Sequence, residues 1–133
     1  MRADFPLQHK SSDLGTIPEP IVPIEILTKY GFQRFDFLVD TGADCSMMPK
    51  SMAKIIGMEL KELSTMHFGG IEGKTVETFI ARMTIKITKK PIQVTCALSS
   101  NDQCPFILGR KDIFNRFDIL FDNKNDKIVF TEI

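Results

Sequence analysis

A chain of 133 residues, 43% hydrophobic and 26% charged, is long enough for one domain with a buried core. Lys+Arg and Asp+Glu both number 17, so the net charge is zero, and no basic run offers a footprint for nucleic acid. No apolar run reaches membrane-spanning length and Met1-Arg2-Ala3-Asp4 does not open a signal peptide, which predicts a cytoplasmic protein.

Residues 1–20 read as an irregular arm, because Ser11-Ser12-Asp13 and three prolines oppose regular structure. Asp13-Leu14-Gly15-Thr16 echoes a motif met later in the chain, but no strand is expected before it. Residues 21–133 read as a single domain. Ile21 to Thr28 alternates as a strand, Tyr30-Gly31 is a turn, and Gln33 to Val39 is the next strand. This second strand ends in an acid, Asp40, followed by the tight loop Thr41-Gly42-Ala43-Asp44. A carboxylate placed there is held by the sheet behind it and by the loop's own backbone, the usual way to present a carboxylate for chemistry.

Ser46 to Met58 reads as a short helix, with Pro49 in its first turn, Met52, Ile55 and Ile56 on its apolar face, and Gly57 at its end. Phe68-Gly69-Gly70-Ile71-Glu72-Gly73 is glycine-rich and leads into the alternating stretch Thr75 to Thr88. Two strands joined by such a segment form a mobile hairpin whose backbone can approach a ligand closely. Pro91 to Leu98 is another strand. Phe106-Ile107-Leu108-Gly109-Arg110 is a buried strand turning into a short helix, Lys111 to Arg116. Phe117 to Phe121 and Lys127 to Phe130 are strands around a turn. About seven strands, two short helices and no βαβ rhythm make the class mainly β.

Three features stand in order: Phe-Leu-Val into Asp40-Thr41-Gly42-Ala43-Asp44, the glycine-rich hairpin, and Phe-Ile-Leu-Gly-Arg ending at Arg110. Together they resemble the retropepsin family, single-domain aspartic proteases known from retroviruses and found also in cellular proteins. The resemblance covers roughly Ile21 to Ile119. It implies a retropepsin-like closed β-barrel with one or two short helices and a glycine-rich flap hairpin. It implies an aspartic endopeptidase that acts as a homodimer on an extended peptide, without metal or cofactor.

The roles follow position by position from that resemblance. Asp40 matches the catalytic aspartate. Thr41 matches the residue whose hydroxyl crosses the dimer axis. Gly42 matches a backbone contact to substrate. Ala43 and Asp44 belong to the substrate-binding loop, with Asp44 pairing with Arg110. Gly69, Gly70, Ile71 and Gly73 match the flap. Leu108 and Gly109 match the pair packed beneath the active-site loop. Two carboxylates about 3 Å apart cannot both ionise; they share a proton, so one accepts a proton from water while the other donates to the peptide carbonyl.

The sequence departs from retroviral members at three places. Cys45 stands where they often carry an acid, Glu72 adds a charge at the flap tip, and Phe117 to Ile133 can build a hairpin where they stop sooner. The alternative reading keeps the fold as a peptide-binding module that does not cut. Aspartyl phosphoryl transfer lacks a phosphate-positioning lysine or magnesium acids after Asp40. Cys45, Cys96 and Cys104, with no close CxxC pair and only His9 and His67 available, read as reduced structural thiols rather than a Cys–His or metal site.

Overall fold

The computed structural model describes residues 1–69 and 73–133. Along the chain run β1 (Arg2–Pro6), β2 (Gln8–Ser12), β3 (Gly15–Glu19), β4 (Ile21–Thr28), β5 (Gly31–Val39) and β6 (Ser46–Pro49). Helix α1 (Met52–Ile56) and a 3-10 turn (Leu60–Glu62) follow. Then come β7 (Ser64–Gly69), β8 (Thr75–Lys86), β9 (Pro91–Ser99), β10 (Ile107–Leu108), β11 (Phe117–Asp122) and β12 (Lys127–Glu132). The fold is mainly β, as the closely spaced alternating segments predict.

The main sheet has the order β4-β5-β10-β6-β9-β8-β7, and a further pairing of β4 with β8 joins Glu25 to Lys86 and Ile26 to Ile85. That pairing brings the sheet back onto itself around one core. The alternation in β4 turns Val22, Ile24 and Ile26 inward, and that in β8 turns Ala81, Met83 and Ile85 inward. With Phe37, Met48, Val94, Leu98 and Leu108 they fill the interior, each large side chain contributing about 1.5–3 kcal/mol relative to exposure. Phe106 stacks on Phe35 at 5.3 Å and meets Phe37 edge-on at 5.4 Å, tying the approach to β10 onto β5.

Four segments differ from what the sequence predicts. The first is the expected irregular arm, which forms three strands. β1 pairs antiparallel with β12, and Phe5 packs edge-on against Phe130 at 5.7 Å. β2 and β3 form a hairpin whose turn is Asp13-Leu14, with Gly15 at φ +97°; the motif-like Asp13-Leu14-Gly15-Thr16 therefore does follow a strand, but as a hairpin turn. The prolines are tolerated because they sit at strand ends or in a two-stranded edge.

The second is the expected helix over Ser46 to Met58. Its first part is β6, buried between β9 and β10, and only Met52 to Ile56 is helical. Strand pairing of Ser46-Met47-Met48 overrides the helical reading of Pro49, while Gly57 caps the helix as expected, at φ +95°. Third, the strand before Arg110 is only Ile107–Leu108. Fourth, residues 111–116 form turns and not a helix. Asp112 lies at φ +66°, which breaks a right-handed run, and buried Ile113 anchors the turn.

No helix among the described residues is long and apolar enough to cross a membrane.

Candidate active site

β5 delivers Asp40 and is gripped from both sides as it ends. The Leu38 amide donates to the Phe106 carbonyl at 2.8 Å, the Val39 amide to the Pro20 carbonyl at 2.8 Å, and the Asp40 amide to the Leu108 carbonyl at 3.0 Å. The backbone position of Asp40 is therefore fixed by β10, which runs parallel beside β5. Beyond it the chain turns tightly, with the Ala43 amide donating to the Asp40 carbonyl at 3.3 Å. The Gly42 amide donates to Oδ1 of Asp40 at 2.9 Å, which orients the carboxylate from within its own loop. A Cβ at position 42 would stand 3.3 Å from that oxygen, so glycine lets the amide come this close.

Arg110 holds the far side of the loop. Its Nη2 donates to Oδ1 of Asp44 at 2.5 Å and its Nη1 to the Thr41 carbonyl at 3.1 Å. The Arg110 amide donates to the Ala43 carbonyl at 3.0 Å and the Lys111 amide to the Asp44 carbonyl at 2.9 Å. The predicted Asp44–Arg110 pair is thus present. Both side chains are largely exposed, at 75% and 47%, so the pair shapes the loop and adds little to stability. Beneath the loop the Gly109 amide donates to Oγ of the buried Ser46 at 3.1 Å. Here only glycine fits: an added Cβ would lie 2.3 Å from the Cys45 carbonyl carbon and oxygen.

β7 and β8 form the flap hairpin, in register from Ser64–Ile80 to Gly69–Thr75, and the buried Thr78 hydroxyl donates to the Met66 carbonyl at 2.9 Å. Gly73 adopts φ +72°. Gly70 and Ile71, also expected in the flap, lie outside the described residues, as does Glu72. A cavity of about 310 Å³ is lined by Gly42, Ala43, Asp44, Phe68 and Gly69 together with Ile107, so the flap base and the loop face one space. A second cavity of about 390 Å³ borders Asp40 and Thr41.

Several residues at these cavities are not evident from the motifs. Leu7, Pro18 and Pro20 reach the Asp40 cavity from the N-terminal segment, and Phe121 reaches it from β11. The spacing of Phe5 and Leu7 by two is a strand signal that points to this packing. Asp112 is a second unanticipated group. The Thr95 amide donates to its Oδ2 at 2.8 Å and Arg82 Nη1 lies 3.3 Å away. Partial burial alone would raise this carboxyl, but the bonds from Thr95 and the charges of Lys111 and Arg82 outweigh it and hold it below the ordinary range. Cys45, Cys96 and Cys104 are free, and burial pushes all three thiols up, Cys96 most. Among the described residues no group of three or more His, Cys, Asp or Glu side chains is arranged to hold a metal ion.

An apolar strand leading into Asp-Thr-Gly, a parallel strand leading into Gly-Arg beside it and a hairpin whose base shares a cavity with the loop after Asp40 make up a retropepsin-like fold. Residues 29–115 match the model of the family described as "gag-polyprotein putative aspartyl protease". That span is well over half of the sequence, and the chain belongs to this family. Among solved structures, it is similar to a retropepsin-like aspartic protease from Rickettsia conorii, with a TM-score of 0.64 and 16% identity over 98% of this chain and 91% of that one. At that identity the likeness is one of fold. It is also similar to EIAV protease, solved with the inhibitor HBY-793, with a TM-score of 0.53 and 26% identity over 69% of this chain and 82% of that one. A comparison with curated proteins gave no match.

Proposed function

We propose that the protein is an aspartic endopeptidase that works as a homodimer, one Asp40 from each protomer flanking the attacking water. The observation that carries this reading is the loop itself. Asp40 is oriented by the Gly42 amide, fixed by Leu108 through its backbone, and followed by the exposed Thr41. A single chain offers this arrangement once, and the mechanism needs it twice. One carboxylate of the pair accepts a proton from water as the water attacks the peptide carbonyl; the protonated partner donates to the carbonyl oxygen. Collapse of the tetrahedral intermediate expels the amine as it takes up a proton, and the pair returns to its singly protonated form.

Thr41 bridges the two loops across the axis. Gly42, Ala43 and Asp44 line one wall of the peptide cleft, and the flap residues Gly69, Gly70, Ile71 and Gly73 close the other by strand-like backbone bonds. Leu108, Gly109 and Arg110 support the loop from behind. Residues 21–133 form the protease domain, and residues 1–20 attach to it through β1 and β12. The three free cysteines support action in a reducing compartment, the cytoplasm.

Incubation of the protein and its Asp40→Asn variant with a mixed peptide library, read by mass spectrometry at acid and neutral pH, tests this. Cleavage by the parent alone is expected, stronger at acid pH because the pair must retain one proton. Cleavage that survives Asp40→Asn refutes the mechanism; no cleavage by either folded protein shifts the reading to peptide binding without hydrolysis.

A further inference from the structure

A cavity of about 810 Å³ lies where the β4–β5 turn, the end of β6, α1 and the 3-10 turn come together. It shares no lining residue with the cavities that touch Asp40, Thr41 or Gly42. β5 runs from the Lys29 turn to Asp40, so nine steps of about 3.3 Å put roughly 30 Å of strand between the two.

Ala53, Met58 and Leu60 supply apolar surface to this cavity. Lys29, Lys50, Lys54 and Lys61 also line it, against two acids, Glu59 and Asp102. Four positive charges against two negative ones leave an excess of two, in a chain whose net charge is zero. Among the described residues none of these four lysines lies within 4.0 Å of a carboxylate, and neither Glu59 nor Asp102 meets a cation. Elsewhere the lysines Lys90, Lys111 and Lys127 do have acidic partners. Ammonium groups converging on one cavity repel one another, and an anion that enters relieves that repulsion.

The walls are already built. The Lys29 amide donates to the Ile55 carbonyl at 3.0 Å and the Lys50 amide to the Ser99 carbonyl at 2.8 Å. The Met58 amide donates to the Ala53 carbonyl at 2.8 Å, a Schellman-type closure around Gly57, and the Leu63 amide to the Leu60 carbonyl at 3.0 Å. The Lys29 and Lys50 backbones are thus fixed, and among the described residues none of the four lysines has a carboxylate partner, although the Lys29 ammonium lies over the Tyr30 ring at 5.3 Å.

We propose that this cavity docks an acidic peptide segment carrying an apolar residue. The donors are lysines and not arginines. They are point charges on flexible stems, which can follow carboxylates spaced along a chain without the fixed bidentate geometry that an arginine fork imposes. The apolar residues accept a Leu- or Met-sized side chain. Glu59 and Asp102 disfavour a dense polyanion, which selects a peptide of interspersed acidic and apolar residues. Such a segment would tether a protein to this chain at a point remote from Asp40.

A fluorescein-labelled peptide of repeating Glu-Asp-Leu, titrated by fluorescence anisotropy, tests this. The parent and Asp40→Asn should bind it alike, which separates the result from any proteolysis. The variant Lys29→Gln/Lys54→Gln/Lys61→Gln, altered at three exposed lysines, should lose about tenfold or more in affinity, as should a Gln-Asn-Leu peptide on the parent; tenfold corresponds to about 1.4 kcal/mol. Circular dichroism confirms that the triple variant is folded. Amide chemical-shift changes on the parent should centre on Ala53, Met58 and Leu60. Undiminished binding by the triple variant, or shift changes centred on Thr41 to Asp44, overturns the proposal. So does displacement of the peptide by inorganic phosphate, or stronger binding to phosphatidylserine vesicles than to the peptide.

Discussion

Gly109→Ala should unfold the protein more readily than any comparable change at the site, although it adds one methyl group. The added Cβ would stand 2.3 Å from the Cys45 carbonyl carbon and oxygen and 2.9 Å from its Cα. These are backbone atoms, and they have nowhere to retreat. The Ala43 and Asp44 carbonyls are held by the Arg110 and Lys111 amides, and Ser46 onward is paired in β6. Overpacking costs about 1–3 kcal/mol, and a clash with fixed backbone belongs at the upper end. Displacing the Gly109 amide from the buried Ser46 hydroxyl adds about 1 kcal/mol. A total of about 4 kcal/mol is a large share of the 5–15 kcal/mol typical of a domain. At about 4 °C per kcal/mol for this size, the midpoint should fall by about 15 °C. Thermal unfolding by circular dichroism measures this, at one protein concentration because self-association shifts the midpoint. Gly69→Ala is the control, since among the described residues nothing lies within 4 Å of a Cβ there; it should stay within about 2 °C of the parent. A Gly109→Ala midpoint within about 3 °C of the parent would refute the packing argument.

Arg110→Lys keeps the charge but loses the fork that joins Asp44 Oδ1 to the Thr41 carbonyl. Because the pair is exposed, the stability change should stay within about 1 kcal/mol while peptide cleavage falls at least about tenfold; equal activity would deny the loop any need for the fork. Asp4 is held at a pKa of about 2, chiefly by its hydrogen bond from Arg2 and then by Lys127, across the β1–β12 pairing. Between about 2 and the ordinary value of 3.8 the unfolded chain binds more protons than the folded one, so this stabilisation is complete above that window and lost as pH falls through it. The melting temperature of the parent should therefore drop more steeply between pH 4 and pH 2 than that of Asp4→Asn; parallel curves would count against it. Specific activity should fall on dilution if, as proposed, one protomer holds half the site; strict proportionality down to concentrations at which light scattering finds only monomer would exclude the dimeric mechanism.

The parts of the site legible in the sequence are those fixed by short-range chemistry. Phe35 to Val39 reads as a strand because its alternation matches its burial, and Asp40-Thr41-Gly42 reads as a loop because glycine permits the amide-to-carboxylate bond within it. The Asp44–Arg110 pair is legible only through the family resemblance, because 66 residues separate its members. Long-range pairing decides the misread segments. Ser46 to Pro49 carries helix-compatible residues, but parallel β9 and antiparallel β10 claim them as strand. The N-terminal residues look irregular because their partner, β12, lies at the other end of the chain. Asp112 looks like a first-turn helical acid, yet its carboxylate bonds the Thr95 amide and its backbone takes the left-handed region. A local rule cannot see either partner.

Those same long-range pairings bear on why the chain would need a second copy. β11 is an edge of the sheet β1-β12-β11, and it carries Leu120 at 57% and Phe121 at 38% exposure. An exposed apolar edge is a liability in a lone chain and an asset in an assembly. Phe121 borders the same cavity as Asp40 and Thr41, and Val39, Thr41 and Ile119 meet at a neighbouring one of about 260 Å³. The β11 edge and the exposed Asp40-Thr41-Gly42 loop therefore lie on one side of the molecule. Covering that edge with a second copy would bring a second Asp-Thr-Gly loop toward the first, so the burial of Phe121 and the completion of the carboxylate pair would be one event.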